Sequence, residues 1–90
     1  MSKREMFLAI QRIVDDPDRS DMEKMAAAFG EATGIFIAGS EREQALARAL
    51  GDEETAVKEQ IKSNVMRMSR DIFADVYTRV TGERSELWHE

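Results

Sequence analysis

The sequence predicts an all-α protein, and three observations lead there. The stretch from Glu53 to Val80 contains neither Gly nor Pro and is closed by Gly82. Apolar residues recur at helical spacing rather than in alternation along several segments. Helix-starting and helix-stopping residues stand between those segments, at Pro17, Ser20, Gly39, Ser40, Gly51 and Gly82. The expected architecture is three to four helices, over about residues 2–14, 21–38, 41–50 and 53–80, assembled as an oligomeric helical bundle. Residues 1–90 form one domain, with 83–90 as a C-terminal tail.

The first helix is predicted from Met6, Phe7, Ile10, Ile13 and Val14, which share one helical face. It stops at Asp15-Asp16-Pro17, because the residue before a proline is pushed out of the α region. Ser20 with Glu23 then makes a Ser-x-x-Glu capping box. Met22, Met25, Phe29, Thr33 and Phe36 follow on one face of a second helix. Ala26, Gly30, Gly34 and Ala38 recur every four residues on it, a strip where another helix backbone can approach closely. Two glycines weaken such a segment by up to about 1 kcal/mol each. The alternative for Ile35-Phe36-Ile37 is an extended piece, but no other strand is present to pair with it.

Gly39 is expected to end the second helix, and Ser40 with Glu43 to start a short third one through Ala45, Leu46, Ala49 and Leu50. Gly51 stops that helix. Asp52-Glu53-Glu54 begins the long one, with negative charge where the helix dipole favours it. Within the long helix Val57, Ile61, Val65, Met68, Ile72 and Val76 recur at steps of four and three, with Met66, Phe73, Tyr77 and Val80 beside them. At about 1.5 Å per residue it is about 42 Å long, against a diameter near 31 Å for a compact chain of this size. A helix longer than its globule, with a wide apolar face, calls for a partner. Val65, Met68, Ile72, Phe73, Val76, Tyr77 and Val80 are the expected interface residues, together with Trp88 from the tail. Trp88 either folds back over the Phe73/Tyr77 face or anchors a neighbour, a role in which tryptophan is enriched. Met22, Met25, Met66 and Met68 read as gap-filling apolar contacts.

Composition narrows the class further. Ninety residues, 42% hydrophobic and 34% charged, suit one folded domain with a small core. There is no cysteine, which removes disulfide and thiolate chemistry. The amino-terminal apolar stretch acquires Glu5, Gln11 and Arg12 too early for a signal peptide, and no run approaches membrane-spanning length. A cytoplasmic location and no membrane partner are expected. The net charge of −5 disfavours nonspecific nucleic-acid binding, which draws on clustered Lys and Arg.

The segment from Leu46 to Ile61, with Ala47, Gly51, Val57 and Ile61 at its key positions, resembles the core of helix-turn-helix DNA-binding units. That resemblance implies a transcriptional regulator, with the second helix in the major groove. Its would-be recognition helix carries Glu53, Glu54 and Glu59 against Lys58 and Lys62, and phosphates repel such a surface. Catalytic groupings are nearly absent. His89 is the only histidine. Glu86-Leu87-Trp88-His89 has the Glu-x-x-His spacing of carboxylate-bridged di-metal bundles, but the long helix keeps its Glu at one end and hydrocarbon along its face. No enzyme activity, metal or cofactor is expected. The reading is a small acidic protein acting through protein–protein contacts as a regulator, adaptor or inhibitor. It self-associates through the long helix. The alternatives are the DNA-binding regulator and an oligomeric sponge for a small anion or nucleotide, with Arg67, Arg70, Arg79 and Arg84 converging across an interface.

Overall fold

The computed structural model describes residues 3–83. It contains three α-helices: α1 Lys3–Val14, α2 Asp21–Ala49 and α3 Glu53–Thr81. Among the described residues there is no strand, and Ile35-Phe36-Ile37 lies within α2. Helix α1 packs on α2, and α2 packs along α3. The molecule measures 47 × 28 × 16 Å with a radius of gyration of 15.1 Å, above the roughly 12 Å of a compact chain this long. Its long dimension is essentially the length of α3, about 43 Å for 29 residues.

Local chemistry sets most helix ends. At the start of α2 the Ser20 hydroxyl accepts from the Glu23 amide at 3.2 Å, and the Glu23 carboxylate accepts from the Ser20 amide at 3.2 Å. This reciprocal pair satisfies two amides that the first turn leaves open. The last turn of α2 closes through Gly51, at φ 73°, with the Asp52 amide donating back to the Ala47 carbonyl at 2.8 Å. Only glycine adopts that backbone freely. The Asp52 carboxylate then accepts from the Thr55 amide at 3.1 Å and caps α3. Gly82, at φ 74°, ends α3 in the same left-handed conformation.

The break expected at Gly39 does not occur, so the predicted helices 21–38 and 41–50 are one element. The reason lies in α3. A continuous α2 keeps Ser40 part-covered on the face that packs along α3, on the same side as Ile37 and Gln44. Glycine tolerates helical backbone at a cost of about 1 kcal/mol, and packing along the full hairpin offsets it.

The α2–α3 contact is a heptad seam. On α2 the seam runs through the buried or part-covered residues Ala26, Gly30, Thr33, Ile37, Ser40, Gln44 and Ala47, and on α3 through Ala56, Glu59, Ser63, Met66, Arg70, Phe73 and Tyr77. Both sets advance by alternating steps of four and three, the 3.5-residue repeat of helices that wind around each other. The seam is narrow. Small residues occupy much of it, and its bulk comes at the far end, where Phe29 stacks on Phe73 with ring centroids 4.7 Å apart and Tyr77 follows on. Buried hydroxyls are satisfied locally: Thr33 donates to the Phe29 carbonyl at 2.7 Å and Ser63 to the Gln60 carbonyl at 2.9 Å. Of the small-residue strip, Ala26 and Gly30 enter the seam, whereas the Cα of Gly34 faces open space. A four-residue repeat drifts away from a 3.5-residue seam within two turns.

The segment resembling a helix-turn-helix is the bend of this hairpin. Phe29 stacks on Phe73 at one end and Glu41 pairs with Arg67 nearer the bend, so α2 and α3 run antiparallel, side by side. In DNA-binding units of that kind the two helices cross at a wide angle.

Candidate functional site

The feature that internal packing leaves unexplained is the outer face of α3. Val57, Ile61, Val65, Met68, Ile72, Val76 and Val80 all lie there, 45% to 66% exposed. Helical geometry puts this stripe roughly opposite the inner seam, because 59, 63, 66, 70, 73 and 77 fall about half a turn away from 57, 61, 65, 68, 72 and 76. Of the residues expected at an interface, Val65, Met68, Ile72, Val76 and Val80 are brought together on this surface. Phe73 and Tyr77 are not: both turn inward onto α2. Trp88 lies outside the described residues, as does the Glu86/His89 pair. Val57 and Ile61 extend the stripe toward the start of α3.

Charge borders the stripe at both ends. Near the N-terminal end Lys58 pairs with Glu54 at 3.1 Å, and near the C-terminal end Arg79 pairs with Asp75 at 2.9 Å. All four side chains are exposed. The sequence assigns Glu54 to the helix start, Glu54 and Lys58 to a would-be recognition surface and Arg79 to a candidate anion site, without joining them to the apolar stripe. Their spacing was the available signal, since they continue the four-and-three steps of the apolar residues between them.

Other surfaces are smaller. Helix α1 contributes no buried residue. It turns Met6, Ile10 and Ile13 partly under cover and leaves Phe7, Leu8 and Val14 exposed. A cleft of about 630 Å³ opens between the start of α1 and the hairpin, lined by Met6, Phe36, Glu59, Lys62 and Met66 among others. In it the Glu59 carboxyl sits below the usual range, held there first by the Lys62 hydrogen bond and then by Ser40. That is a pairing of an ion with its neighbours along the wall of the cleft. The arginines proposed as a ligand site do not converge within one chain: Arg67 pairs with Glu41 of α2, Arg79 with Asp75, and Arg70 lies on the inner seam. Arg84 lies outside the described residues. Among the described residues no three His, Cys, Asp or Glu side chains are grouped to hold a metal ion, and no helix is long and apolar enough to cross a membrane.

Comparison with known proteins finds no matching family model, no matching curated protein and no matching solved structure. The geometry of the outer α3 face is therefore the starting point for function.

Proposed function

We infer that this chain is a small cytoplasmic interaction protein without catalytic activity. It self-associates through the outer face of α3 and acts by occupying a surface on another protein, as a regulator, adaptor or inhibitor. The observation that supports this reading is the stripe of seven large aliphatic residues on a helix whose other side is already packed. Contiguous apolar patches of this kind mark association surfaces. Covering a half-exposed apolar side chain contributes about 1 kcal/mol, so seven on each of two copies contribute on the order of 14 kcal/mol. That is comparable with an association cost of about 4–15 kcal/mol.

Sedimentation velocity over a micromolar concentration series tests the self-association. A folded 10.2 kDa species at every concentration would overturn it. Cross-linking capture from the native host tests the action on another protein, with an Ile72→Asp variant as the control.

A further inference from the structure

We propose that the second copy lies antiparallel on α3, with the two-fold axis passing between Met66 and Arg67. This rests on the self-association reading above and adds its orientation and register.

The argument comes from a second heptad on α3. Ile61, Val65, Met68 and Ile72 form its apolar middle, and the same four-and-three steps continue outward to Lys58 and Glu54 on one side and to Asp75 and Arg79 on the other. Every one of these positions is exposed, whereas every position of the inner heptad is covered. The helix thus carries two seams and uses one.

The unused seam is complementary to itself when reversed. In an antiparallel pair of helices each core layer joins a residue of one chain to the residue equally far on the other side of the two-fold axis. About the midpoint of Met66 and Arg67, Val65 meets the partner's Met68 and Ile61 meets the partner's Ile72. Moving outward, Lys58 meets the partner's Asp75 and Glu54 meets the partner's Arg79. Apolar layers pair with apolar layers, and both charged layers join opposite signs. The pairs Glu54–Lys58 and Asp75–Arg79 already present within each helix complete a four-charge cluster at each end of the seam. Every charge in it then has two neighbours of opposite sign.

A parallel, in-register pair gives the reverse result. Each residue would face its own copy, so Glu54, Lys58, Asp75 and Arg79 would make four like-charge layers, which are destabilising. Val57 and Val76 flank the core layers in either orientation and extend the covered apolar area. The charge pattern therefore selects both the partner, a second copy, and its direction.

The chain has no cysteine, so a single introduced cysteine takes a spin label at one site only. In the antiparallel register, labels on Thr78→Cys lie about 34 Å apart along the helix axis and labels on Gln60→Cys about 20 Å apart. In a parallel register both pairs are close and equal. The companion test is charge reversal. Lys58→Glu and Asp75→Lys should each weaken dimerisation about tenfold, equivalent to about 1.4 kcal/mol. The double variant should return to within about threefold of the parent, because each reversed charge again meets its opposite. Circular dichroism checks that these exposed substitutions leave the helices intact. A dimer with short, equal label distances, or with no recovery in the double variant, overturns the antiparallel register and leaves self-association standing. Absence of any dimer in the parent overturns both.

Discussion

Replacing Ile72 by Asp separates the two faces of α3 by experiment. Ile72 is 59% exposed in the protomer, so the isolated chain loses little when it changes. The helix-propensity difference between Ile and Asp is a few tenths of a kcal/mol. In the assembly the same side chain enters a core layer. Full burial of an isoleucine is worth about 2–3 kcal/mol, and the exposed share of it is about 1–2 kcal/mol per copy. Two-fold symmetry counts this twice, giving about 3 kcal/mol, and an aspartate placed there adds the cost of taking a carboxylate out of water. The dissociation constant should therefore rise more than a hundredfold. Sedimentation velocity reads the dissociation, and thermal unfolding followed by circular dichroism reads the fold. The parent Tm should rise with protein concentration, as it does for any protein whose folded state associates. The variant should be a helical monomer with a concentration-independent Tm. An unfolded variant would mean that Ile72 belongs to the internal core. A variant that dimerises like the parent would mean that the outer face is not the interface.

Further outcomes follow from local features. Gly34→Ala should stabilise the protomer by about 0.5–1 kcal/mol in urea titration, because an added Cβ meets no atom within 4 Å and the helical backbone suits alanine. Gly51→Ala should do the opposite by about 1–2 kcal/mol, since its φ of 73° strains any residue with a Cβ. Three carboxyls are held below their ordinary values, Glu23 by Ser20, Asp52 by Thr55, and Glu59 by Lys62 and then Ser40. Their folded-state pKa values are depressed, so their contribution is complete above the ordinary values of 4.5 for Glu and 3.8 for Asp. It is lost as pH falls through the lower folded values. A Tm that is level from neutral pH to about pH 5 and drops below about pH 4 is expected; a Tm that rises on acidification would contradict those pairings. Purified protein should bind duplex DNA no better than an acidic control at physiological salt, given a net charge of −5. A sequence-specific gel shift abolished by Lys58→Glu would reverse that reading.

The helix ends were legible in the sequence because the interactions that set them span a single turn. Pro17, the Ser20/Glu23 box, Gly51, Asp52 and Gly82 each act on neighbours within a few residues, and α1, the start of α2 and both ends of α3 fall within a residue or so of expectation. The uninterrupted run from Glu53 to Val80 gave the length of α3 on the same basis. Gly39 and Ser40 have equally strong local signals, yet the helix runs through them. What decides is the packing of α2 along α3, which lies across the hairpin and has no local signal. Which side of α3 is buried was also beyond local reading. The large aliphatic residues give the strongest hydrophobic signal and face outward. The inner seam is built largely from Ala, Gly, Ser and Thr, which carry little such signal because their contribution comes from close helix approach. Phe73 and Tyr77 looked continuous with the stripe, but a 3.5-residue seam and the Phe29 ring draw them to the other side. Sequence determined the helix ends set within one turn and the amount of apolar surface on α3. Tertiary packing decided that α2 runs on through Gly39 and which part of the α3 surface the chain covers for itself, because both depend on which residues of the other helix lie opposite.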